Sequence, residues 1–192
     1  MKFYFDKSFP TSFDCSRLPV IPYGMSRVYC FPKAIEGAYA DGLTLEIVPF
    51  SDSMDSWIAT FPNRGWARGS EPAVFSMPSP SQALVIAFGE AYLVNTNDPS
   101  QCTLLDIIPV VGAMAIPERQ MVVLYDFIYL EAIGPEGSRW VSPRLATDGL
   151  RDVGYGDGLI VGEGWNAAHD KWLPFEVRPE DGVATLNGYD LD

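Results

Sequence analysis

The sequence predicts an all-β protein made of antiparallel meanders, arranged as part of a β-propeller or as a β-sandwich. Three observations predict this. Pro and Gly punctuate the whole chain, 16 and 17 of them in 192 residues, and leave few stretches in which a helix could propagate. Between them lie short apolar or alternating runs rich in β-branched and aromatic residues, which suit a pleated, half-buried surface. A segment also repeats at an offset of 37 residues: Pro80-Ser81-Gln82-Ala83-Leu84-Val85-Ile86-Ala87-Phe88 lies over Pro117-Glu118-Arg119-Gln120-Met121-Val122-Val123-Leu124-Tyr125.

The elements follow in order. Strands are expected at Ser26–Phe31, Leu43–Phe50, Trp57–Phe61 and Ala73–Met77. The one candidate for a helix, Pro32–Tyr39, is short. Leu84–Phe88 and Ala91–Val94 form a hairpin across Gly89-Glu90, where a leading Gly suits a type II′ turn. Met121–Ile133 exceeds an average strand, so a turn or bulge is expected near Asp126. Trp140–Leu145 and Val183–Leu186 are further strands. Leu159–Trp165 and Trp172–Val177 read as an antiparallel pair, with Trp165 and Trp172 able to meet across it. Leu173, Phe175 and Val177 point one way; Trp172 and Glu176 point the other.

The repeat keeps its register past the hairpin, where Tyr92 and Leu93 fall on Tyr129 and Leu130. Strands and polar turns recurring about every 40 residues are the pattern of a propeller blade. The chain is read as a single domain, 1–192. Residues 1–80, with 9 of the 16 prolines, form irregular strands, and 81–186 form blade-like repeats.

Composition narrows the function. Hydrophobic residues make up 47% and aromatics 13%, too much apolar surface for a chain that stays unfolded. The net charge is −12, which argues against nucleic-acid binding, since that requires a basic face. Residues 121–192 hold 5 basic against 13 acidic side chains, so steering of a basic partner would come mainly from there. No apolar run reaches the length of a membrane span, and the first residues lack a signal-peptide core. Cys15, Cys30 and Cys102 are odd in number and widely spaced, as expected of reduced thiols in a cytoplasmic protein.

Residues 140–145 (Trp-Val-Ser-Pro-Arg-Leu), Asp148-Gly149-Leu150, residues 162–166 (Gly-Glu-Gly-Trp-Asn) and residues 171–177 (Lys-Trp-Leu-Pro-Phe-Glu-Val) carry a resemblance. Over roughly residues 105–186 the chain resembles a group of uncharacterised bacterial proteins. The resemblance implies a bacterial or phage origin and a β-rich fold, and it brings no catalytic residues.

The chemistry is sparse. His169 is the lone histidine and the cysteines lack close partners, so no metal site and no cofactor are expected. No nucleophile elbow precedes a serine, and His169-Asp170 reads as a polar turn. Gly154-Tyr155-Gly156-Asp157-Gly158 precedes a strand, not a helix, and reads as a β-turn. Asp126, Glu131 and Glu163 lie in apolar stretches and are the candidates for paired-carboxylate catalysis. Trp66, between Arg64 and Arg68 in a glycine-containing loop, is a candidate contact residue.

The function expected is that of a non-catalytic binding protein for a basic protein partner, such as a bacterial toxin-neutralising immunity protein. The binding residues expected are Arg64, Trp66 and Arg68, with Asp148, Asp152, Asp157, His169 and Asp170 on the acidic side. The alternatives are a hydrolase acting on a carbohydrate or small polar substrate through paired carboxylates, and a structural subunit of a phage or secretion assembly.

Overall fold

The structure is a computed structural model, which describes residues 3–25, 27–50, 56–64 and 71–191. The described residues form nineteen strands and one short 3-10 turn, Pro117–Arg119. They assemble into four mostly antiparallel sheets, none closed on itself. The expected all-β, meander-built fold is the fold of the chain. Among the described residues no helix is long and apolar enough to cross a membrane.

The chain divides into two compact units, Met1–Ile108 and Pro109–Asp192. The first holds two sheets. One runs in the order β1 (Tyr4–Asp6), β7 (Ala73–Ser76), β8 (Gln82–Ala87), β9 (Glu90–Asn95), β10 (Cys102–Leu104). Strands β7 to β10 are a meander, and β1 adds to its edge in parallel. The other runs β2 (Phe13–Arg17), β5 (Gly42–Pro49), β6 (Trp57–Pro62), β3 (Val28–Cys30), β4 (Ile35–Glu36). Strand β5 alternates between buried Leu43, Leu45, Ile47 and half-buried Thr44, Glu46, Val48, as a strand with one core-facing side must. The unit's core joins both sheets through Phe13, Phe31, Leu45, Trp57, Phe61 and Tyr92. Phe31 stacks on Phe61 at 5.0 Å, and Phe61 meets Tyr92 at 4.9 Å.

The second unit holds two sheets in plain sequence order. The first is β11 (Gly112–Ile116), β12 (Met121–Tyr125), β13 (Leu130–Gly134), β14 (Gly137–Val141). The second is β15 (Leu150–Gly156), β16 (Leu159–Asn166), β17 (Lys171–Val177), β18 (Ala184–Leu186), β19 (Tyr189–Asp190). Its core is built around Val123, Leu130, Trp140, Ile160, Phe175 and Val177.

The 37-residue repeat has a structural meaning. β8 and β12 are each the second strand of a four-stranded meander, and β9 and β13 are each the third. The meander that contains β8 begins with Ala73, so the blade-like pattern starts before residue 80, inside the first unit. Met121–Ile133 breaks as expected at Asp126. Its Oδ1 accepts from the amides of Ile128 and Tyr129, both at 2.6 Å, and so turns the chain between β12 and β13. Trp165 and Trp172 pair across β16 and β17 with ring centroids 5.6 Å apart.

Three local expectations are corrected. The β8–β9 turn is Phe88-Gly89, not Gly89-Glu90, because Ala87 pairs with Glu90. Both turn residues have positive φ (53° and 84°), which is a type I′ turn, not II′. Residues 32–39 form turns and β4 instead of a helix, with positive φ at Ala34 and Gly37. The strand expected over Trp140–Leu145 is β14, ending at Val141, since Pro143 cannot donate to a ladder.

Candidate functional site

Two connections of the first unit leave apolar surface in solvent. Residues 18–25 follow β2, at one edge of its sheet, on the way to β3, which lies beyond β5 and β6 in the strand order; residues 37–41 run from β4, at the other edge, to β5. Between them lies a cleft of about 550 Å³. Its walls include Pro19, Val20, Ile21 and Met25 from the first connection, and Tyr39 and Asp41 from the second.

The local sequence explains the shape. Leu18-Pro-Val-Ile-Pro-Tyr-Gly-Met25 contains no charged residue, and Pro19 and Pro22 keep it out of the ladder. The Leu18 amide still donates to the Thr44 carbonyl at 3.0 Å, and the sheet register then ends. The Met25 amide reaches the Pro22 carbonyl at 3.5 Å, with Gly24 at φ 85°, a position in the turn that glycine fills without strain. That turn projects Tyr23 fully into solvent (107% exposed); Val20 and Tyr39, on the cleft walls, are exposed at 70% and 72%. Gly42 closes the cleft against β6, where any Cβ would collide with the Phe61 carbonyl. Asp41 is exposed, and its carboxylate has no partner among the described residues.

Of the binding residues expected from sequence, Arg64 belongs to the first unit and Asp148, Asp152, Asp157, His169 and Asp170 to the second. Arg64 reaches inward to the buried Glu90, with Nη1 3.5 Å from Oε1. Trp66 and Arg68 lie outside the described residues. Asp157 sits in the β15–β16 turn, and His169 and Asp170 in the β16–β17 turn. The eight-residue β16 separates these turns by about 23 Å at ~3.3 Å per residue. Asp148 precedes β15 at the His169 end, where the Trp165 amide donates to the Gly149 carbonyl at 3.0 Å. Asp152 occupies a bulge on the edge strand β15 at φ 53°.

The catalytic candidates are likewise held in structure. Asp126 caps its own turn. Glu163 pairs with Arg151, whose Nε donates to it at 2.6 Å. Arg151 also lies 4.3 Å over the Trp172 ring, which uses the guanidinium plane against an aromatic face. Glu131 is buried in β13 and has an interaction partner of its own. His169 Nδ1 is 2.9 Å from Asn166 Oδ1, a closed turn and not a catalytic dyad. Among the described residues no group of three His, Cys, Asp or Glu is placed to hold a metal ion. The three cysteines are free thiols. Burial pushes the Cys15 and Cys102 thiols up to about 12, which makes them poor nucleophiles.

No family model matches the chain, and no curated protein matches it. Among solved structures, it is similar to the crystal structure of the N-terminal domain of Nup159, with a TM-score of 0.39 and 10% sequence identity. The match covers 98% of this chain and 53% of that one, so the chain spans about half the length of that neighbour.

The cleft was missed because strand and motif patterns look for alternation and spacing. The signal present in the sequence was different: eight consecutive residues, two of them Pro, without a charge.

Proposed function

We propose that this is a non-catalytic binding protein that takes a basic, apolar segment of a protein partner into the first unit's cleft. One observation carries the reading: Val20 and Tyr39 stand in solvent on the walls of a cleft that Pro19, Ile21 and Met25 also line. A folded chain seldom leaves such side chains together in water unless something covers them. Tyr adds a large contact area at small entropic cost, and it favours interface centres.

Charge gives the sign of the partner. Asp41 at the cleft has no partner among the described residues, and the first unit, residues 1–108, holds 11 acidic against 7 basic side chains. A basic segment is therefore attracted at long range and finds a carboxylate on arrival. Neutralisation of a basic protein, as by a bacterial immunity protein, is a role that this chemistry would serve.

The test is selection from a library of short random peptides displayed on phage. Peptides with Lys or Arg beside aliphatic or aromatic residues are expected to be enriched on the full chain. They should be lost on the double variant Val20→Ser, Tyr39→Ala, whose changes are on exposed side chains. Enrichment of acidic peptides, or the same peptides on the double variant, would overturn the reading.

A further inference from the structure

A second cleft, of about 260 Å³, lies in the second unit where the 166–171 and 186–189 hairpins come side by side. We propose that it binds a small apolar monocarboxylate with Lys171 as counter-ion.

The argument starts from pairing. The second unit has six basic side chains, and five of them are engaged. Arg119 pairs with Glu180 at 2.7 Å, and Arg178 with Asp181 at 2.6 Å. Arg151 pairs with Glu163. Arg139 donates to the Arg119 carbonyl at 2.9 Å, and Arg144 to the carbonyls of Ala146 and Thr147. Lys171 has no partner among the described residues, in a unit rich in carboxylates, and it is the one that lines a cleft.

The other polar groups of the cleft also offer donors. Asn166 Oδ1 accepts from the backbone amide of His169 at 3.2 Å and from its Nδ1 at 2.9 Å. That fixes the amide so that Nδ2 is left to donate. The Asn187 amide and the Tyr189 hydroxyl, which also line the cleft, can each donate as well as accept. Leu173, Leu186 and Leu191 supply the apolar surface. A cation, several donors and a patch of leucine complement an acceptor-rich head on an apolar body, and a carboxylate meets an ammonium through short, charge-assisted bonds. Among the described residues, the nearby acids are not part of the lining: Asp190 alternates with Tyr189 and Leu191 along the strand, and Asp170 lies outside it.

The carboxylate could belong to a free acid or to the C-terminus of a peptide. Two probes separate these sources, hexanoate for the first and N-acetyl-leucine for the second, each beside its uncharged amide. Binding is read on the full chain by two-dimensional amide NMR at the Asn166 and Asn187 side chains. At least one acid is expected to give saturable shifts and to bind about tenfold more tightly than its amide. Lys171→Gln is expected to abolish that difference while leaving the rest of the spectrum in place. The tighter acid identifies the source. The proposal fails if neither acid saturates by about 50 mM, if acid and amide bind equally, or if Lys171→Gln leaves the preference unchanged.

Discussion

The Tyr92 hydroxyl donates to the Glu90 carboxylate inside the first unit. Both residues are on β9, two positions apart and so on one face of the strand, and both are buried, at 0% and 2% exposure. Arg64 completes the group from the side of Glu90 Oε1. A buried carboxylate is tolerable only while its partners hold. Tyr92→Phe is therefore expected to destabilise the chain by about 1–3 kcal/mol, measured by urea unfolding with an unchanged slope. An unaltered midpoint would contradict this.

The same pair sets an alkaline limit. Burial first, then the hydrogen bond to Glu90, raise the Tyr92 phenol above its ordinary value. A raised folded value means that the phenol's contribution is fully present below a pH of about 10, the unfolded value. It is lost as pH rises beyond that. Unfolding free energy should fall above this pH in the wild type and fall less steeply in Tyr92→Phe. Identical slopes in the two proteins would show that other groups set the limit.

Two of the three thiols should be silent in the folded chain. With Cys15 and Cys102 pushed up to about 12 by burial, only about one in ten thousand is thiolate at a pH of about 8. A thiol-disulfide reagent should therefore label neither at a useful rate, and unfolding in urea should release both. Fast labelling of either in native buffer would show that it is not shielded.

Within the last sheet, packing should outweigh charge. A Cβ at Gly164 would collide with the Leu145 carbonyl, which is backbone and cannot swing aside. Gly164→Ala is expected to cost about 1–3 kcal/mol or more. Arg151→Ala removes a half-exposed ion pair and a ring contact, and should cost about 1 kcal/mol or less. Thermal unfolding of the two variants gives the order directly; a reversed order would contradict it.

Much of the fold was legible because strand signals are local. The run of residues 171–177 alternates in sequence and in burial alike, with Leu173, Phe175 and Val177 inside. The 37-residue repeat foretold two successive meanders because each uses the same order of strand and turn. What escaped was set by neighbours in space. Tyr4–Asp6 is a strand only because it pairs with Ala73–Phe75, far along the chain. Gly112–Ile116 is one because β12 lies beside it. The type I′ turn followed from the Ala87–Glu90 register, which Gly89 alone could not specify. Likewise Asp148, Asp152, Asp157 and Asp170 share a sign and a stretch of sequence, but β16 holds two of their turns at its opposite ends.

The central claim is that the first unit's cleft captures a basic, apolar segment. The most direct measurement is the dissociation constant of one library-selected peptide for the wild type, Tyr39→Ala and Asp41→Asn, at salt of about 50 and 300 mM. Tyr39→Ala is expected to weaken binding about tenfold or more at both salts, because it removes contact area. Asp41→Asn should weaken binding mainly at low salt and flatten the salt dependence. Equal dissociation constants for all three proteins at both salts would place the peptide elsewhere and contradict the claim.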